Sequence, residues 1–246
     1  ITQNHRFNSM IYSGIFNSRT GVNNTNQFSV GEEITRSLDP VNGSIQKLYS
    51  EDTNLIIFQE SKVSNALIDK DAIYSAEGQP LTTSGNLVIG QIRAYSGKYG
   101  ISNNPESFAI HGFRKYFTDR VQNTVLRLST DGLEEISRYG MIDYFRDELS
   151  TLDDISTPGK AIGAWDIYNK QYVLSLQKDD SYNTLSFAEA VLGWTSLFDY
   201  DPEQAFSLGS NYYSVKNGKL WQHYSPTALR NNLYGTQYDS SVDFVF

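Results

Sequence analysis

The apolar runs of this chain are short, rich in β-branched and aromatic residues, and closed by tight polar turns, which restricts the fold more than any other feature. Leu55-Ile56-Ile57-Phe58, Val125-Leu126-Arg127-Leu128, Tyr172-Val173-Leu174-Ser175-Leu176 and Lys219-Leu220-Trp221-Gln222-His223 each read as a strand leaving a polar turn. Asn-Gly, Asp-Gly and similar turns between such runs favour antiparallel pairing, so a mainly β fold of antiparallel modules is predicted.

The approaches to those four strands look alike: Tyr49…Asp52-Thr53-Asn54, Tyr116…Asp119…Asn123, Trp165-Asp166…Asn169 and Tyr213…Lys216-Asn217-Gly218. By subtraction, the turn asparagines Asn54, Asn123, Asn169 and Asn217 are spaced 69, 46 and 48 residues apart. A return of about 47 residues matches propeller-like blades or stacked β modules. The surplus in the first interval falls in the Gly-rich stretch Ala76 to Gly112, interrupted by Pro80 and Pro105, which reads as an inserted arm. Residues 1–45 are expected as an N-terminal extended segment and 46–246 as a propeller-like β domain carrying the arm at about 76–112. The opening Ile1-Thr2-Gln3-Asn4 has neither an initiator Met nor signal-peptide order, so the chain is expected to be part of a longer polypeptide.

Helical periodicity surfaces in Met141–Leu149, where Ile142, Phe145 and Leu149 share one face; a short helix is predicted, ended by a loop from Ser150 to Gly159. Ser186–Leu192 reads equally well as helix or strand.

Composition narrows the function. A net charge of −8 opposes a surface built to neutralise nucleic-acid phosphates or anionic lipid, and no run of eighteen apolar residues exists. No membrane partner is expected. The absence of Cys excludes a disulfide scaffold, a thiolate metal site and a cysteine nucleophile. His5, His111 and His223 lack any metal-ligand spacing, and neither a phosphate loop nor a GxSxG elbow is present; Gly97-Lys98-Tyr99-Gly100 is a turn. Asp153-Asp154, Asp179-Asp180 and Asp199…Asp201-Pro202-Glu203 offer carboxylates for Ca²⁺ or for glycoside cleavage, but turn chemistry explains them more simply. Ser50-Glu51-Asp52-Thr53-Asn54-Leu55-Ile56-Ile57 approaches the S-x-D-x-G-x-x-W turn of sialidase propellers, with Asn54 and Ile57 in place of Gly and Trp; that motif is a folding element. No catalytic, cofactor-binding or metal-ligating residue is assigned. Trp165, Trp194, Trp221, Tyr95, Tyr99, Tyr212 and Tyr213 are candidates for a sugar-stacking platform, with core packing as the simpler use and subunit contact a third.

Several blocks resemble a known family: Asn104-Pro105-Glu106-Ser107-Phe108, Arg114-Lys115-Tyr116-Phe117-Thr118-Asp119, and Val125-Leu126-Arg127-Leu128-Ser129-Thr130-Asp131-Gly132. The likeness continues through Glu135-Ile136-Ser137-Arg138-Tyr139-Gly140-Met141, Asp143-Tyr144-Phe145-Arg146-Asp147, Gly193-Trp194-Thr195-Ser196, Asn211-Tyr212-Tyr213 and Gly218-Lys219-Leu220-Trp221-Gln222-His223. Together they resemble the tail stabilisation or muzzle proteins of crAss-like and related short-tailed bacteriophages, over about residues 45 to 246. The resemblance implies a non-enzymatic virion structural protein without cofactors. It would sit in a tail nozzle as one of several copies in a ring, against neighbouring tail or portal-associated proteins, with packaged DNA nearby but not bound by sequence. Against this stand a tail-tip glycan-binding or glycan-cleaving β domain, motivated by the Trp, Tyr and acidic pairs, and a bacterial surface or secreted β module.

Overall fold

The computed structural model describes residues 5–14, 16–17, 20–28, 34–68, 71–74, 80–83, 88–152 and 158–242. Two compact units divide the chain, Ile1–Asn103 and Asn104–Phe246.

In the first unit, β1 (Ser9–Ile11) pairs with β4 (Thr35–Ser37), and β2 (Phe16–Asn17) with β3 (Val22–Asn23). The main sheet is antiparallel: β5 (Ile45–Glu51), β6 (Asn54–Gln59), β7 (Val63–Ile68) and, after an excursion, β10 (Ile89–Ala94). The excursion is a hairpin of β8 (Asp71–Tyr74) and β9 (Pro80–Thr83), which among the described residues pair only with each other. Met10, Leu38, Ile57, Ala66 and Ile89 form an aliphatic core. The fully buried side chain of Gln59 staples the approach to β5, its Nε2 donating to the carbonyls of Asp39 (3.1 Å) and Gly43 (2.9 Å). Gly100 lies so near the Glu60 backbone that a Cβ there would stand 2.2 Å from its carbonyl oxygen.

Of the stretch expected as an arm, residues 76–79 and 84–87 lie outside the described residues. From Ile89 to Asn103 it belongs to the body of the first unit, where β10 is hydrogen-bonded to β7 and Ile101 is fully buried, and from Asn104 to Gly112 it belongs to the second unit. The excursion from the main sheet is the β8–β9 hairpin.

The second unit contains three further antiparallel sheets in chain order. They are β11 (Ala109–His111) to β14 (Gly132–Glu135) through β12 (Arg114–Asp119) and β13 (Thr124–Ser129); β15 (Lys160–Asp166) to β18 (Gly193–Phe198) through β16 (Gln171–Lys178) and β17 (Ser181–Ala188); and β19 (Gln204–Leu208), β20 (Asn211–Lys216) and β21 (Lys219–Gln222). A small hairpin, β22 (Asn232–Leu233) and β23 (Thr236–Gln237), follows. Mainly β, antiparallel architecture is thus established, and among the described residues no sheet closes on itself.

Strands β15 and β16 bury side chains on both faces. On one face Trp165 and Tyr172 meet Tyr116, Val125, Leu174 and Phe187; on the other Ala164 and Val173 meet Tyr200 and Tyr212. The helix α1 (Ile142–Thr151) contributes Phe145 and Leu149 to the first core, but Ile142 is 55% exposed, so the apolar face is shorter than its period suggested. Ser150 and Thr151 remain helical, and residues 153–157 of the expected loop, with Asp153-Asp154, lie outside the described residues. Ser186–Ala188 end strand β17, and Glu189 to Leu192 turn into β18, so the ambiguous segment is a strand end followed by a turn and not a helix. Where β15 crosses the turn at Pro105–Ser107, Gly163 is required: a Cβ would fall 1.9 Å from the Ser107 carbonyl oxygen. That carbonyl also accepts the Tyr172 hydroxyl at 2.8 Å, while Ser107 Oγ accepts the Thr118 N–H, fastening the turn to two strands.

Candidate functional site

The four turns aligned by their asparagines are all β-hairpins, but not the same hairpin of each sheet. Asn54, which opens β6, and Asn169 belong to the hairpin of the first two strands of their sheets in chain order, Asn123 and Asn217 to that of the second and third. Two of them nevertheless share one construction. Asp119 pairs with Thr124 and Asp166 with Gln171, each across a four-residue loop whose last residue, Asn123 (φ 51°) or Lys170 (φ 56°), is left-handed. Both aspartates are fully buried. Asp119 Oδ1 accepts the N–H groups of Val121 (3.0 Å) and Gln122 (3.1 Å); Asp166 Oδ1 accepts those of Tyr168 (2.9 Å) and Asn169 (3.2 Å). Aligning on asparagine misses this equivalence by one residue.

At Asp166 the second carboxylate oxygen is used as well, accepting Asn169 Nδ2 at 3.1 Å and the Tyr224 hydroxyl at 2.7 Å. Burial and this carboxylate push the Tyr224 phenol well above its ordinary pKa. Tyr224 stacks on Tyr168 with ring centroids 4.8 Å apart and planes 13° from parallel. The two rings wall a cleft of about 490 Å³, bounded also by Trp221 and Tyr234.

His223 also borders it, with its ring 4.8 Å from Tyr200 and 5.0 Å from Tyr212. Burial lowers the imidazole pKa to about 4, so the ring is neutral at physiological pH. Its Nε2 is 2.7 Å from Ser214 Oγ, which also accepts the Tyr234 hydroxyl at 2.9 Å. A serine bonded to histidine invites comparison with a nucleophile and its base, but Ser214 is fully buried beneath tyrosines. The pair joins β20 to the segment after β21.

A second polar constellation lies in the same unit. Arg127 Nη1 is 2.5 Å from Glu189 Oε2, its Nη2 pairs with Glu134, Tyr116 donates to Glu189 Oε1 at 2.6 Å, and Tyr139 donates to Glu134. Burial works against the Arg127 charge, yet the two carboxylates outweigh it and raise its pKa. The Tyr139 hydroxyl, opposed by some burial and joined by Arg127, holds the Glu134 carboxyl below its ordinary value. These groups cross-link β12, β13, β14 and the turn after β17, with Arg127 Nε alone of the guanidinium nitrogens left buried without a partner.

The remaining candidates scatter. Trp165 is buried between His111 (4.2 Å, 7° from parallel) and Tyr116 (5.5 Å). Trp194 packs on Phe145 and Phe187 and donates Nε1 to the Ile136 carbonyl. Tyr212 is buried, and Tyr213 stacks on Phe206. Asp201 pairs with Lys216 at 2.5 Å, Glu203 accepts the Asn217 N–H, and Asp179 (φ 52°) and Asp180 form the turn between β16 and β17. Among the described residues no group of three His, Asp or Glu could hold a metal, and no helix is long and apolar enough to cross a membrane.

Sequence reading missed the tyrosine and histidine cluster and the Arg127 network. Their partners lie far apart in the chain, and no short motif announces them. The recurrent Asp119 and Asp166 was the available signal.

No curated protein matches the chain. The profile of the Crassvirus muzzle protein family matches residues 34–218, from the end of the N-terminal strands to the β20–β21 turn. That span includes both buried-aspartate loops, the Arg127 network and all four main sheets up to their last hairpin. The chain therefore belongs to the Crassvirus muzzle protein family, and is a structural component of a bacteriophage virion.

Proposed function

We propose that the chain is a non-enzymatic part of the phage tail nozzle, assembling with further copies of itself in a ring that extends or closes the DNA channel and stabilises the packaged genome. The observation that carries this reading is the outer face of the β19–β21 sheet. Phe206, Tyr213, Leu208, Val215 and Leu220 share that face by register, with Leu208 68% and Leu220 62% exposed. Apolar side chains lined along an open sheet invite a protein neighbour. The β8–β9 hairpin supports it, because two strands alone are marginal and gain from a partner.

In this reading the successive antiparallel sheets are propeller-like blades, the hairpins at Asn54, Asn123, Asn169 and Asn217 are folding scaffold, and the arm between β7 and β10 reaches a neighbouring tail or portal-associated protein. The charge of −8 makes DNA in the channel a repelled neighbour instead of a gripped one.

Native mass measurement on the chain in solution and on the protein recovered from purified virions tests this. A multimeric mass with recovery from the particle is the expected result; a free monomer absent from virions overturns it. Strong salt-dependent DNA retention would refute the repelling surface.

A further inference from the structure

The cleft beside Asp166 differs in three ways from a gap left by packing. Its polar lining is dominated by primary amides, from Asn169, Gln222, Asn231 and Asn232, beside the Arg230 guanidinium, the Ser225 hydroxyl and the His223 imidazole. Amides donate and accept hydrogen bonds, as hydroxyl groups do, so the lining matches a polyhydroxylated ligand better than a proline-rich peptide, which offers mostly acceptors. No Asp or Glu side chain lines the cleft itself, although the chain carries 28 of them against 20 Lys and Arg; the nearest carboxylate, Asp166, lies behind the wall with its second oxygen taken up by Asn169 and Tyr224. Arg230 is exposed, and among the described residues its guanidinium has no hydrogen-bond or ion-pair partner. Finally, the wall is held in a costly backbone. Tyr224 (φ 59°), Asn231 (φ 58°) and Tyr234 (φ 54°) are left-handed without being glycine, which bulky aromatic residues rarely tolerate. The hydroxyls of both tyrosines are tied down, Tyr224 to Asp166 and Tyr234 to Ser214. Strain kept in place at an open aromatic cleft is the mark of a surface shaped for a ligand.

We infer that this cleft binds an acidic saccharide. The apolar face of a pyranose ring lies against Tyr168, which is 59% exposed and already immobilised by its stack on Tyr224. The sugar carboxylate pairs with Arg230, and the amides of Asn169 and Asn232 take its hydroxyls. Asp166 positions the wall from behind and does not touch the ligand. This site is independent of the assembly reading, since it uses other residues and requires no second copy.

The test is a titration of the intact chain with 3′-sialyllactose, a galacturonic acid oligomer and lactose, followed by intrinsic tryptophan fluorescence, to which Trp221 contributes from the cleft wall. Saturable binding of at least one acidic sugar, tenfold or more above lactose, is expected. Tyr168→Ala should weaken it at least tenfold with an unchanged thermal midpoint, and Arg230→Gln should reduce the acidic sugar to the level of lactose. The proposal is overturned if no sugar saturates, if lactose binds as well as the acidic sugars, or if Tyr168→Ala binds normally. It also falls if a proline-rich decapeptide binds more tightly than any of the sugars. Virion incorporation of the same variants, measured separately, reports on assembly alone.

Discussion

The loops after Asp119 and Asp166 have the same backbone and opposite fates. In each, a buried aspartate collects two N–H groups, a left-handed fourth residue closes the turn, and the second loop residue points outward. That outward residue is Val121, 65% exposed, in one and Tyr168, 59% exposed, in the other. At Asp166 a distant residue, Tyr224, is drawn onto the carboxylate, and there the loop becomes the wall of a cleft. A turn that merely closes a hairpin becomes a binding surface when its spare oxygen recruits a ring and its exposed residue is aromatic.

The largest effect expected is from Asp166→Ala. Four hydrogen bonds to a buried carboxylate vanish, and urea unfolding should show a loss of about 4 kcal/mol. A loss no greater than that of the matching Asp119 variant would break the comparison. Next comes the pH dependence of the region behind the Tyr224 wall. Burial favours neutral His223, so between pH 6.5 and about 4 the unfolded chain binds a proton that the folded chain does not. Its contribution is complete above pH 6.5 and is lost as pH falls through that window, by up to about 3 kcal/mol. Urea midpoints from pH 7 to pH 4 should decline less steeply in His223→Gln than in the parent; parallel curves would remove His223 as the cause.

Asp119→Ala should cost about 2 kcal/mol, for two backbone N–H groups left without their acceptor. The smallest effect sharpens the contrast most. Exchanging the outward residues, Tyr168→Val and Val121→Tyr, should each move stability by about 0.5 kcal/mol or less in denaturant titrations. Only the first should abolish sugar binding. If Val121→Tyr created a new sugar site, the aromatic residue alone would suffice and the recruitment of Tyr224 would be incidental.

The hairpins were legible in the sequence because two-residue and four-residue turns depend on local chemistry: Asn217-Gly218 takes left-handed angles at both positions. Helix α1 was legible for the same reason, through Phe145 and Leu149. The alignment slipped where Asn169 was matched to Asn123. The left-handed site accepts Asn in one loop and Lys170 in the other, so its identity is weakly constrained, whereas the aspartate that accepts the loop N–H groups is strongly constrained. The wall of the cleft was not legible, because Tyr168, Tyr224 and Tyr234 meet only through three-dimensional packing. Arg127 drew notice only as part of the strand Val125-Leu126-Arg127-Leu128, since its partner Glu189 lies 62 positions away.

The turn after β17 carries two exposed apolar side chains, Val191 and Leu192, and begins at Glu189. Any neighbour gripping those side chains pulls on a carboxylate moored to Tyr116 on β12 and to Arg127 on β13, itself bound to Glu134 on β14. A load applied at that turn is divided among three strands of another sheet in addition to the hairpin that bears it. The β17–β18 corner is therefore a mechanical anchor, from which a tug reaches the body of the sheet before it can peel one strand away.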